Sequence, residues 1–360
     1  MCSWQYNRSI SILLIIATMI FAIGCSDDDK PTSPKQYSWS AMGSGVDGSV
    51  ACITEFDSKL IIGGEFTTNG VVGLNYIAGW QGSSWFPLGN GVGAPVWALA
   101  DYGGFLIAGG RFATASGVNA SYIACWNEGS GWGPIWGAMN DYVTELTVYQ
   151  NSMIAGGFFT TASGVSANHV AIGLITNWGP LGTGVNGYVR ALTVFDGKLI
   201  VGGDFSTAGG LAANRIAAWD GSTWAPLGTG MTGTVYALTV FDDKLIASGD
   251  FTSAGGVNVN HIAAWDGSSW SPLGAGLNDR ALALTVYENR LVAGGDFTTA
   301  GGQSANHIAN WNGSSWTTLG TGTDGSVRCL YVYDSRLIAG GSFSTAGGES
   351  ANHVAAWGPK

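Results

Sequence analysis

The chain repeats one pattern every 46 residues, and the pattern ends out of phase with itself. Trp39, Trp85, Trp132, Trp178, Trp224, Trp270 and Trp316 mark the period, and only the step from Trp85 to Trp132 is 47. The last unit stops after about three of its four segments, at Trp357-Gly-Pro-Lys360, and the missing segment stands alone at residues 37–43, YSWSAMG. A period of this length with strand-like patterning belongs to propellers and solenoids. Offset ends of this kind predict a closed ring, in which the first segment completes the last unit.

One unit shows what each repeat contains. Residues 189–195 (VRALTVF) are rich in β-branched and apolar residues and predict an innermost strand a; Asp196-Gly197 is a type I′ hairpin signal. Residues 198–205 predict strand b. A long loop is expected over Ser206–Asn214, with Gly209-Gly210 inside it, followed by strand c at residues 215–219. The turn Asp220-Gly221-Ser222-Thr223, with Gly at the first central position as type II′ requires, leads to strand d at residues 224–228. This turn sets Trp219 opposite Trp224, a cross-strand aromatic pair, and the pair recurs as Trp80/Trp85, Trp126/Trp132, Trp265/Trp270 and Trp311/Trp316. Repetition in unit after unit marks these tryptophans as packing residues rather than sugar platforms. The Gly-Gly doublet of strand b, Gly202-Gly203 and its equivalents, implies close backbone approach; in the fifth unit it is Ser248-Gly249. The expected fold is all-β: a seven-bladed β-propeller of four-stranded blades over residues 37–360, closed by the N-terminal strand d pairing with the C-terminal strands a–c. Closure removes exposed sheet edges.

The segments L-I-V-G-G-D-F, A-A-W-D-G-S-T-W-A-P-L-G and V-Y-A-L-T-V-F-D-D-K-L-I resemble kelch-type repeats. They are similar, more specifically, to secreted bacterial propellers and to the fungal bud-site cortical-marker propellers. The resemblance spans residues 37–360 and implies binding and display, since such propellers host many activities. The copper and tyrosine–cysteine arrangement of kelch-like oxidases has no counterpart, and W-D-G-S-S-W is not the Asp-box of sialidases.

Residues 1–24 predict a signal peptide: Arg8 precedes an apolar run, Ile12 to Ile23, too short to span a bilayer. The run ends in Ala22-Ile23-Gly24-Cys25, which resembles the lipobox of bacterial lipoproteins. The resemblance implies cleavage before Cys25 and lipid attachment to its thiol, with Ser26 favouring the outer membrane. Residues 25–36 then form a lipidated, polar, proline-containing tether. The expected location is the outer membrane, facing periplasm or cell surface, with the lipid as the only membrane attachment. A net charge of -10 without a basic stripe argues against nucleic acid. A monomer is expected.

In a repeat protein, a residue found in every unit reports the fold, and a residue that departs from the repeat is where function hides. Asn75, Asn168, Asn214, Asn260, Asn306 and Asn352 read as loop-satisfying residues, and His169, His261, His307 and His353 share one repeat position too far from the axis to converge on a metal. Glu65, Asp204, Asp250 and Asp296 follow the glycine doublet without the ligand spacing of calcium loops. No cofactor or metal is expected. Cys52, Cys125 and Cys329 read as small buried hydrophobes, with a Cys52–Cys329 disulfide left open. The position one residue into strand a varies freely, Ala51, Trp97, Thr144, Arg190, Tyr236, Leu282 and Arg328, beside a position read as uniform valine. Next to it, Glu145 replaces a small residue and calls for a partner, with Arg190 the candidate. The third unit diverges most: Gly173 replaces the strand-c Trp, and Trp136 stands where others carry Gly. Trp97, Trp136, Glu145, Arg190, Tyr236 and Arg328 are therefore the candidate ligand-binding residues at the channel mouth. The expected function is non-enzymatic binding of an envelope or extracellular protein. The alternative is a lectin using Trp97 and Trp136. A hydrolase or lyase built on Glu145 stands third, because acid–base chemistry needs a second positioned group.

Overall fold

In a computed structural model, residues 35–174 and 176–360 are described. Seven four-stranded antiparallel sheets form a ring. Blade 1 comprises strands Val50–Phe56 (a), Lys59–Gly64 (b), Ile77–Trp80 (c) and Trp85–Pro87 (d). Blade 4 comprises Tyr188–Phe195, Lys198–Asp204, Ile216–Trp219 and Trp224–Pro226 in the same order. Blade 7 takes Val327–Tyr333, Arg336–Gly341 and Val354–Pro359 from the C-terminal end and Tyr37–Ala41 as its strand d. Trp39 lies opposite Trp357 in that register. Each strand a packs against the strands a of both neighbouring blades, and blade 7 meets blade 1. Among the described residues no helix is long and apolar enough to cross a membrane.

The repeated residues explain the ring. Phe66, Phe112, Phe159, Phe205, Phe251, Phe297 and Phe343 occupy one repeat position and are all fully buried, each contributing a large apolar surface. Strand-d tryptophans stitch blade to blade: Trp224 Nε1 donates to Leu181 O at 2.9 Å and Trp39 Nε1 to Leu319 O at 2.9 Å. The glycine doublet is a contact requirement. A Cβ at Gly202 would lie 2.6 Å from Val235 Cγ1 of the next blade, and one at Gly203 only 2.0 Å from the carbonyl oxygen of Tyr188. Blade 5 breaks the rule with Ser248, and blade 6 answers with Ala281 where the other blades carry valine, so that position is not uniform valine as expected. Ser248 is fully buried and its hydroxyl donates to Ala281 O at 3.1 Å.

The expected long b–c loops are largely ordered ribbons. In blade 4, Thr207–Ala208 pairs with Leu211–Ala212, and Gly209-Gly210 is their two-residue turn, with φ of 60° and 81° as type I′ requires. Five other blades build the same ribbon, and blade 1 keeps a single Thr68–Gly73 bridge. The d–a loop pairs with the ribbon of the next blade through Val185–Ala208 and its equivalents. Asn186 Oδ1 accepts from the backbone N–H groups of Ser206 and Thr207, both at 2.8 Å. The two loop sets therefore share one face, and that face is pinned.

Candidate functional site: the channel mouth

Strand a begins with a β-bulge in every blade. The register shifts between Val50 and Cys52, Val96 and Ala98, Val143 and Glu145, Val189 and Ala191, Val235 and Ala237, Ala281 and Ala283, and Val327 and Cys329. The unpaired residues are Ala51, Trp97, Thr144, Arg190, Tyr236, Leu282 and Arg328, the variable position of the repeat. A bulged residue makes no ladder pair and re-aims its side chain, so its identity is free of the sheet's demands. All seven line one cavity of about 250 Å³ at the channel mouth, with Glu145 and Phe158 completing the wall. Below it the channel, about 220 Å³, is walled mostly by Ala, Leu, Ile and Cys of the seven strands a.

The mouth carries cations stacked on aromatic rings. The Arg190 guanidinium lies 5.5 Å from the Phe158 ring and 5.3 Å from that of Tyr236. Its Nε is buried, without a hydrogen-bond partner among the described residues. Arg111 lies 5.7 Å from the Trp97 ring and 5.3 Å from that of Tyr142. Tyr142 also meets Trp97 edge-on at 5.6 Å, and Phe158 stacks on Tyr188 at 4.1 Å. Other arginines at this end of the blades hold acids. Arg280 Nε holds Asp296 at 2.7 Å and its Nη1 reaches Asp250 at 3.5 Å; Arg215 holds Asp204 at 3.2 Å; Arg328 faces Glu65 at 4.0 Å. Burial pushes the Asp296 carboxyl up, but the Arg280 hydrogen bond and the charges of Arg280 and Arg328 hold the pKa below the ordinary value. Burial raises the Tyr236 phenol above its usual range. Subtracting the consensus at the variable position missed Tyr142, Tyr188 and Arg280. The same subtraction one residue before the valine, reading Ser49, Pro95, Tyr142, Tyr188, Thr234, Arg280 and Ser326, finds them.

Glu145 faces the channel bore without its expected partner. Arg190 is engaged by rings rather than by this carboxyl, and among the described residues neither hydrogen bond nor charge shifts Glu145; loss of bulk hydration alone raises its pKa to about 8. It is held mostly protonated at neutral pH. Cys52 and Cys329 are free thiols, each directed at a carbonyl of the following blade, Val96 O at 3.8 Å and Val50 O at 3.6 Å. Burial pushes both thiols well above their usual range, so neither supplies a thiolate.

Trp136 does not belong to the mouth. It follows strand d of blade 2, where other blades carry a glycine that leaves room for the next blade's strand-c Trp. Blade 3 has Gly173 in place of that Trp, and a Cβ on Gly173 would lie 2.4 Å from Trp136 Cζ3. The Trp136 ring packs on Trp178 at 5.3 Å, the same separation as the ordinary Trp219–Trp224 pair. The side chain has exchanged places between blades. Among the described residues, the buried Trp178 Nε1 finds no acceptor.

Sequence and fold comparisons agree with this architecture and stop there. A family model described as a domain of unknown function, DUF5122 beta-propeller, matches residues 196–217, which run from the a–b turn of blade 4 into strand c. No curated protein matches the chain. The WD40 beta propeller domain of Doa1 superposes with a TM-score of 0.59 at 16% identity, covering 91% of this chain and 98% of that one. RRP9 WD40 repeats give 0.54 at 13% identity, covering 90% and 98%. The computationally designed Ika8 protein gives 0.55 at 14% identity, covering 90% and 100%. At such identities the likeness is one of fold.

The repeated polar residues bind the scaffold. Asn214 Nδ2 donates to Thr229 O at 3.0 Å, and its equivalents make the same bond. His261, His307 and His353 each set Nδ1 against the carbonyl of their own strand b, at 3.0–3.2 Å. His169 makes no such bond; burial lowers its pKa, and it meets Tyr188 edge-on. Among the described residues, no three His, Cys, Asp or Glu side chains are grouped to hold a metal. Cys25 and the segment 1–24 lie outside the described residues.

Proposed function

We propose that this chain is a non-catalytic binding module that captures a polypeptide partner at the channel mouth, carried on a lipid anchor at Cys25 in the cell envelope. One observation carries the reading. Seven bulged positions deliver seven side chains to one cavity, on a scaffold whose loops are hydrogen-bonded to one another. Concave, pre-formed sites with a few charged groups among apolar walls are where ligands bind, and side chains held by a rigid frame bind with little ordering cost. The kelch-type resemblance and the WD40-like fold fit a display role. A catalytic reading has weak support: among the described residues Glu145 has no second titratable group bonded to it, and burial holds the neighbouring thiols protonated. The lectin reading keeps Trp97 but loses Trp136.

A photo-crosslinking residue placed at Leu282 in the mouth, or at Val194 near the far end of strand a, tests this in intact cells. A protein adduct is expected from position 282 alone, abolished when Ala51→Trp plugs the cavity. Equal adducts from both positions, or indifference to the plug, would remove the mouth from the mechanism. A glycan-array signal lost in Trp97→Ala would exchange the polypeptide for a sugar. For the anchor, Cys25→Ser is expected to release the protein from membranes; continued association would sink that part.

A further inference from the structure

The charge balance of the mouth narrows what enters it. Of the nine lining residues, Arg190 and Arg328 are cationic and Glu145 is the only acid; Glu145 is held mostly protonated there by the loss of bulk hydration. Arg190 has no carboxylate partner among the described residues, and its buried Nε lacks an acceptor. A buried guanidinium N–H without an acceptor carries a desolvation penalty that an anion's oxygen removes. Arg111 stands just behind, on Trp97 and Tyr142, again with rings rather than acids beside it. Of the arginines at this end of the blades, Arg215, Arg280 and Arg328 face Asp204, Asp296 with Asp250, and Glu65, which leaves Arg190 and Arg111 as the two without a carboxylate among the described residues.

The remaining wall is apolar. Ala51, Phe158 and Leu282 offer no side-chain hydrogen-bonding group, and Trp97 has only its indole N–H. The Thr144 hydroxyl is already used, donating to Val189 O at 2.8 Å. The Tyr236 hydroxyl faces Arg280 Nη1 at 3.5 Å. A hydroxyl-rich sugar acid would leave several groups unsatisfied here, each at a cost. The cavity is also small. At about 250 Å³ it falls below the usual size of a drug-sized ligand site and suits a group of about one residue.

Resting on the binding role proposed above, we infer that the mouth recognises a carboxylate carried on an apolar body, presented by a polypeptide: its C-terminal residue, or an acidic side chain beside an apolar one. The carboxylate seats on Arg190, with Arg328 across the cavity, and the apolar body lies against Trp97, Phe158 and Leu282.

Calorimetric titration of the purified full chain tests this with four probes. These are N-acetyl-Gly-Gly-Phe with a free carboxylate, its C-terminal amide, the amidated peptide N-acetyl-Gly-Glu-Phe-Gly, and glucuronate. At least one carboxylate peptide is expected to bind, and the neutral amide at least ~10-fold more weakly, as a charge-assisted hydrogen bond implies. The free-terminus peptide binding alone assigns a chain end; the Glu peptide binding alone assigns a side chain. Arg190→Gln is expected to weaken binding at least ~10-fold and Arg328→Gln to weaken it too, while Arg290→Gln, at the other end of the blades, changes nothing. Thermal melts establish that each variant is folded. Equal binding of acid and amide overturns the inference, as does full affinity in folded Arg190→Gln. Glucuronate binding without either peptide overturns the polypeptide carrier. Failure of both peptides while the Leu282 adduct persists defeats the carboxylate and leaves the mouth standing. A peptide that still binds the Ala51→Trp plug defeats the mouth itself.

Discussion

Returning blade 3 to the repeat consensus is a stringent test of the exchange between Trp136 and Gly173. Trp136→Gly alone deletes a half-buried indole that packs on Trp178 and Tyr102. Large-to-small truncation of a Trp costs about 3–5 kcal/mol, reduced by about 1 kcal/mol because glycine relieves a left-handed backbone, here at φ 49°. Gly173→Trp alone drives a side chain into the Trp136 ring, since its Cβ would sit 2.4 Å from Cζ3; overpacking costs about 1–3 kcal/mol or more. In the double variant the new indole takes the ordinary strand-c place over the glycine introduced at position 136, as Trp219 lies over Gly182 with Cζ3 at 3.2 Å from that glycine's notional Cβ. Trp178 Nε1 then recovers the acceptor its six counterparts have, about 1 kcal/mol. The single losses sum to about 3 kcal/mol or more, and the double variant is expected within about 1 kcal/mol of the parent. Urea denaturation at constant slope reads this as the midpoint. Additive losses in the double variant would refute the exchange.

Other expectations follow from the same geometry. Glu145 holds its proton up to a pKa of about 8 in the folded chain, so between its unfolded value and that point the folded state binds more protons. Stability must therefore fall as pH rises through this window, by up to about 1.4 kcal/mol per pH unit. Glu145→Gln should match the parent near pH 4.5 and exceed it at pH 8; parallel stability curves would show that the channel solvates the carboxylate. Ala281→Val should cost about 1–3 kcal/mol by overpacking against Ser248, and Ser248→Gly should rescue it; no rescue in thermal melts would separate the two positions. Trp39→Ala should cost about 3–5 kcal/mol, and deletion of residues 37–43 more, because both open the last blade. An unchanged melting temperature after the deletion would refute ring closure through that strand.

The chain's own repetition made the fold legible before any coordinates. Seven copies at nearly constant spacing predict seven blades, the offset ends predict the Trp39–Trp357 pairing, and two-residue turns predict which tryptophans face each other. These are properties of the backbone period and of local turn chemistry, which neighbouring residues encode. The variable position pointed to Trp97, Arg190, Tyr236 and Arg328, and these do converge, because equivalent residues of a ring face a common axis. What the repeat could not show was how one blade meets the next. The Trp136 ring fills the space left by Gly173, and Ser248 is accommodated by Ala281; each pair lies far apart in sequence and touches only across a blade junction. Glu145 and Arg190 are adjacent blades' residues on the same ring, yet the guanidinium turns to Phe158 and Tyr236 instead. Local pattern determined which strands form and in what order. Side-chain volume and charge across the junctions, set only when the ring closes, decided which residues face the mouth and which merely fill it.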